Sequence, residues 1–214
     1  MTGAPTWSPD GSQIAFDSDC QIYVIGADGG TPRQLTQSGE NCTPFWSRDG
    51  KFIYFASNRT GDFQIWRASA LRGDTPSEPA VQITQGGGFR GFESADGKYL
   101  YYAKGRGKRG LWRRSLPSTP ASKEEPVLES LQEWGWFALA PAAIYFLEFS
   151  PSVDSRVQLK ALHLADGRIT EITRLQHPVV SETPALSASQ DGRRVLFAQL
   201  GAEDADIMLI DKFQ

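Results

Sequence analysis

The chain is poor in the residues from which covalent frameworks and active sites are built. Its 214 residues include two cysteines, two methionines and two histidines. Cys20 and Cys42 cannot make a disulfide framework. They read as small buried or half-buried thiols, with a single bridge between them left open as the alternative. His163 and His177 lie far apart in unlike contexts. A zinc site needs several ligands at short spacing, and a hydrolase triad needs a serine oriented by a histidine held by a carboxylate. Neither pattern is present, nor is a G-x-S-x-G elbow. The acidic turn Glu203-Asp204-Ala205-Asp206 lacks the glycine and the ligand spacing of a calcium loop. No catalytic residue, cofactor or metal is expected.

Long apolar runs are missing too. No segment reaches the roughly 18 consecutive apolar residues of a spanning helix. The start, Met1-Thr2-Gly3-Ala4-Pro5, has neither a charged n-region nor an apolar h-region. Neither a signal peptide nor membrane insertion is expected, and the sequence does not decide between bacterial periplasm and cytoplasm. A net charge of −3 gives no reason to expect direct nucleic-acid binding. No stretch of ten or more residues carries a period of 3.6, so no helix is expected.

What the chain has is one short pattern, repeated. Trp7-Ser8-Pro9-Asp10-Gly11 leads into Ile14-Ala15-Phe16, and Trp46-Ser47-Arg48-Asp49-Gly50 leads into Phe52-Ile53-Tyr54-Phe55. Ser94-Ala95-Asp96-Gly97 before Tyr99 to Tyr102, and Ser189-Gln190-Asp191-Gly192 before Val195 to Phe197, are further copies. Asp-Gly between period-2 apolar segments is a hairpin signal, because glycine takes positive φ and the aspartate bonds the turn backbone. The aspartates stand 39, 47 and 95 residues apart. The last gap is about two repeats, and Phe137 to Phe146 fills it, with Ala140-Pro141 where Asp-Gly stood elsewhere.

Five modules of strand and turn, near residues 4–36, 43–84, 89–130, 134–173 and 183–211, are therefore expected in a single all-β domain spanning 1–214. Repetition at this period points to a β-propeller of about five four-stranded blades. The fifth blade is expected to be incomplete, since only Lys212-Phe213-Gln214 follow its third strand. A four-stranded blade cannot shield both its faces and must stack on neighbours. Trp7, Phe16, Trp46, Phe55, Tyr102 and Phe146, recurring at blade period, are accordingly expected between blades. An incomplete ring is expected, with Ile207 and Leu209 near a raw edge.

These residues resemble the TolB-like β-propeller repeat, whose blades carry a W-S-P-D-G turn before an apolar strand. Trp7 to Gly11 with Ile22-Tyr23-Val24 and Pro32-Arg33-Gln34-Leu35-Thr36 match a whole blade, and Ser57-Asn58-Arg59 before Ile65-Trp66 is a second typical segment. The resemblance covers about residues 4–211 and is weakest in the fourth module. It implies a non-enzymatic interaction platform or sensory module with a protein partner, such as the C-terminal half of a bacterial winged-helix transcriptional regulator. The alternative that it implies is the propeller of a prolyl-oligopeptidase-like serine peptidase whose catalytic domain is absent.

One charged feature stands apart. Lys104, Arg106, Lys108, Arg109, Arg113 and Arg114 cluster in an otherwise acidic chain. Gly105 to Gly110 fits G-x-G-x-x-G, but it falls between two strands rather than before a helix, so it is a hairpin tip and not a nucleotide loop. Arg106, Lys108, Arg109, Arg113 and Arg114 are instead candidates for a patch that docks an acidic partner.

Overall fold

The computed structural model describes residues 2–71, 79–105, 107–119, 122–149, 156–180, 184–200 and 205–211. Arg106 of the basic cluster and Glu203-Asp204 of the acidic turn lie outside them. The described residues form nineteen strands and no helix. They make five antiparallel sheets taken in chain order, four with four strands and the last with three. The chain divides into two compact units, residues 1–105 with 112–125 and residues 106–111 with 126–214.

The first unit holds the first two sheets and most of the third. The first sheet is β1 (Thr2–Trp7), β2 (Gln13–Ser18), β3 (Gln21–Gly26) and β4 (Gly29–Gln34). The second is β5 (Asn41–Trp46), β6 (Phe52–Ser57), β7 (Gln64–Ser69) and β8 (Val81–Gln82). The third is β9 (Arg90–Glu93), β10 (Tyr99–Ala103), β11 (Leu111–Ser115) and β12 (Glu124–Leu128), its last two strands running across the boundary.

Local chemistry explains why each blade begins as it does. In the first, Gly11 N donates to Ser8 O at 2.9 Å and Gly11 takes φ +71°. This is a type I turn closed by a left-handed glycine. Asp10 Oδ1 receives the Ser8 hydroxyl at 2.6 Å and Ser12 N at 3.0 Å, while Gln13 N donates back to Ser8 Oγ at 2.9 Å. The same three bonds recur around Asp49, Asp96 and Asp191. Each turn thus satisfies itself within five residues or so. The fourth copy keeps only a backbone bond, Ala140 N to Ala143 O at 2.9 Å.

Blade ends close by a second device. Thr36 Oγ1 accepts from Ile22 N at 2.9 Å and donates to Gln21 Oε1 at 2.8 Å, and Gln34 Nε2 donates to Thr36 O at 2.7 Å. Thr84, Ile65, Gln64 and Gln82 repeat the arrangement. A threonine side chain replaces the backbone ladder here. The outer strands therefore stop at Gln34 and Gln82, two residues before the Thr36 and Thr84 expected from the sequence.

Sheets stack through paired cores. Ala15, Ile22 and Val24 of the first blade meet Trp46, Ile53 and Phe55 of the second. Phe45, Tyr54, Ile65 and Ile83 meet Leu100 and Tyr102 of the third. Trp46 is 9% exposed, and its Nε1 donates to Thr6 O at 3.1 Å. Trp7 corrects the expectation of interblade burial: it is 60% exposed. Its counterpart Trp46 packs back onto the preceding blade, and no described residue stands in that place for Trp7. Phe16 is half-buried and stacks on Tyr23 of its own blade, centroids 5.7 Å apart.

The second unit holds β13 (Phe137–Leu139), β14 (Ala143–Phe149), β15 (Val157–His163) and β16 (Ile169–Arg174), then β17 (Leu186–Ala188), β18 (Arg194–Leu200) and β19 (Ala205–Asp211). Phe137, Ile144 and Phe146 are fully buried. Tyr145 OH donates to Gly192 O at 2.7 Å, joining the fourth blade to the turn of the fifth. Among the described residues β19 pairs on one side only, with β18, and Ile207 and Leu209 are exposed there, as expected.

Candidate functional site

In the first unit, the turn ends of the second and third blades and Leu116-Pro117 beyond β11 enclose an open groove of about 500 Å3. Its walls come from the repeat itself. Phe52 and Tyr54 alternate along β6, so both reach one side of the sheet. Arg67, paired in register with Tyr54 across β6 and β7, lies beside them. Its guanidinium carbon sits 4.3 Å from the Phe52 ring centroid, a cation-over-ring contact. Tyr54 is buried, and its hydroxyl donates to Glu93 Oε1 at 2.7 Å. Burial, reinforced by the Glu93 charge, pushes the Tyr54 hydroxyl well above the ordinary tyrosine range. Glu93 Oε2 accepts Arg48 N at 2.7 Å, so both oxygens of that carboxylate are engaged.

The flanking turn acids are engaged as well. Asp96 is held below the usual carboxylate range by the Ser94 hydroxyl first, then by Lys98 N–H. For Asp49 slight burial works upward, but the Ser47 hydroxyl, Lys51 N–H and the Lys51 charge outweigh it. The carboxylates of the groove are thus occupied, while Arg67 has no carboxylate partner among the described residues. A half-buried cation beside an apolar wall can hold an anionic group of a ligand that also presents apolar surface.

The basic cluster is divided by the fold. Lys108 and Arg109 are exposed. Arg113 stacks over Tyr99 at 4.8 Å and pairs with Glu125, its Nη2 2.8 Å from Oε2. Arg114 is corrected as a docking residue: it is 4% exposed, and its Nη2 donates to Thr119 O at 3.0 Å and Ser122 O at 3.3 Å. The carbonyls of the loop after β11 take it inward, beside Glu124. Lys104 is held there too, 3.0 Å from Glu124 Oε2 and over the Trp112 ring at 3.6 Å. Cys20 and Cys42 do not form a disulfide; Cys20 is exposed and Cys42 half-buried. The described residues contain no cluster of metal-ligating side chains.

Sequence reasoning missed the groove, whose parts come from three separate stretches, 47–67, 93–97 and 116–117. One signal was available: the third strands repeat a Trp-Arg pair, Trp66-Arg67 and Trp112-Arg113, behind an aromatic three residues after the turn aspartate, Phe52 and Tyr99.

Comparison with known proteins bears on the whole of this architecture. Residues 1–171 match the profile of the TolB beta propeller domain. The uncharacterized protein Atu1656 of Agrobacterium fabrum is 44% identical over 66 residues, 28% of this chain and 22% of that protein. The uncharacterized peptidase YuxL of Bacillus subtilis is 42% identical over 55 residues, 23% of this chain and 8% of that protein. The crystal structure of TolB from Acinetobacter baumannii superposes on 99% of this chain with a TM-score of 0.76 at 18% identity. The chain spans 52% of that TolB, and its aligned segments take in less than a quarter of either relative. The repeated Ser-x-Asp-Gly turns, the stacked four-stranded sheets and the profile match over most of the sequence agree: the chain belongs to the TolB beta propeller domain family.

Proposed function

We propose that this chain is a non-enzymatic propeller module that holds a protein partner. The observation that carries the reading is the groove between the second and third blades: open, walled by Leu116-Pro117, and furnished with Arg67 as a half-buried cation. Rigid sheets position it, which suits recognition of an extended chain. The exposed hairpin tip belongs to the same proposal, with Lys108 and Arg109 joined by Arg106, as a second, basic docking surface. None of the relatives named above carries the name of a regulator, and a regulator's sensory half is not part of this reading.

A second reading is favoured by one comparison. The 42% identity to a Bacillus subtilis peptidase supports the propeller portion of a serine peptidase as the alternative.

Two measurements test the reading. The full chain is assayed with peptide p-nitroanilides and p-nitrophenyl esters, and its cross-linked partners in whole extract are compared with those of the triple variant Arg106→Glu, Lys108→Glu, Arg109→Glu. The expected result is no turnover above the buffer blank, and partners lost from a variant that still folds, since exposed charges contribute little to stability. Turnover would overturn the non-enzymatic reading. Recovery of the same partners by wild type and variant would remove the hairpin from the proposal.

A further inference from the structure

The second and third blades build the same arginine site, and only one of them fills it. In the third blade Arg113 lies over the ring of Tyr99. In the second, Arg67 lies over the ring of Phe52 and pairs in register with Tyr54. The chain supplies the third blade with a carboxylate: Glu125 Oε2 takes Arg113 Nη2 at 2.8 Å and Nε at 2.9 Å, a two-point contact. Across from Arg67 the register places Val81, which has no carboxylate to offer and is 52% exposed. Among the described residues nothing acidic takes its place. The acids lining the groove are already engaged, Glu93 by Tyr54 and Arg48 N, Asp49 by Ser47 and Lys51, Asp96 by Ser94 and Lys98.

We propose that the groove binds an acidic peptide segment, an aspartate or glutamate of the partner standing on Arg67 as Glu125 stands on Arg113. The inference rests on the partner-holding reading above and adds the chemistry of what is held. The third blade shows that an arginine laid on an aromatic ring at this position accepts a side-chain carboxylate. The second offers the same cation to a ligand, in a groove whose Leu116-Pro117 wall takes the apolar neighbour of that acid. A peptide fits better than a lone small acid, because the groove of about 500 Å3 is far larger than one carboxylate and lies open along one side.

The test uses the full chain and a random peptide library displayed on phage, followed by fluorescence anisotropy with the selected peptides. The selected sequences should share an Asp or Glu beside an apolar residue. Arg67→Gln should weaken their binding about tenfold or more, the loss of one charge-assisted contact. Val81→Glu is the sharper variant, since it gives the second blade its own internal carboxylate. It should weaken binding to a similar degree while the melting temperature holds or rises. Free glutamate at the peptide's concentration should leave binding in place.

Peptides with no acidic residue in common, or equal binding by wild type and either variant, overturn the inference and leave the partner-holding reading to its own test. A library that yields no binder overturns it too, as does displacement by free glutamate, which would place a small acid in the groove.

Discussion

Replacing Trp46 by alanine removes the largest side chain from the seam between the first and second blades. The indole is 9% exposed and lies among Ala15, Ile22, Val24 and Phe55, all nearly or fully buried. Truncating a buried large aromatic costs about 3–5 kcal/mol, through lost transfer energy and the cavity left behind. The indole N–H also bonds Thr6 O at 3.1 Å, and its loss adds about 1 kcal/mol. Trp7 is the matched control, at the same repeat position but 60% exposed. Trp7→Ala should therefore cost about 1 kcal/mol or less. Trp46→Phe keeps most of the packing and falls between them. Urea unfolding followed by far-ultraviolet circular dichroism reads the three variants without relying on tryptophan emission. If the first blade opens separately from the rest, amide exchange on β2 and β3 shows it as faster opening in Trp46→Ala. Equal losses for Trp46→Ala and Trp7→Ala, or a Trp46→Ala loss below about 1 kcal/mol, would refute the packing described here.

Two further outcomes are expected. Asp10 is drawn down to about 2 by the Ser8 hydroxyl first and then by Ser12 N–H, below its unfolded value near 4. The stability it contributes is whole above about pH 4 and is lost as pH falls towards 2. Carboxyl chemical shifts should give a midpoint near 2 for Asp10, and Ser8→Ala should move it upward; an ordinary midpoint in wild type would contradict the turn geometry. Glu124 is held below its usual range by Lys104 and Tyr102 against the opposing effect of burial, and it lies beside Lys104 and Arg114. Glu124→Ala leaves two cations largely buried without their carboxylate and should cost about 3 kcal/mol or more in urea melts; a loss under about 1 kcal/mol would show that water satisfies them.

What could be read from the sequence follows the reach of each interaction. The turn around Asp10 closes between Ser8 and Gln13, so four residue types at fixed spacing announce it. The copy at Ala140-Pro141 shows in the sequence only as a repeat length, because its side chains no longer carry the bonds. Interactions between blades leave no such local mark. Tyr54 and Glu93 are 39 residues apart, and nothing near either names the other. Arg114 looked like a surface charge because its sequence neighbours are basic. Its burial is decided by the carbonyls of Thr119 and Ser122, which no residue type encodes. Outer strands ended early for a reason that residue identity does record, the Gln-x-Thr pairs at 34–36 and 82–84, though only the structure shows the threonine hydroxyl standing in for a ladder bond.

The self-contained turn has a consequence for how such an array can change over generations. A segment that fixes its own hairpin through Ser8, Asp10 and Gly11 takes its strand register with it when copied, whatever flanks the copy. Duplication by whole blades is then conformationally cheap, and a copy needs only to re-form seam contacts of the kind made by Trp46 with Thr6 and Tyr54 with Glu93. Insertions within a turn or a strand disturb both, whereas the unequal spacings of 39 and 47 residues between turn aspartates show that length changes elsewhere are accommodated. Selection on blade number can therefore act through a few side chains at each seam, leaving the turns themselves as the shared grammar of the repeat.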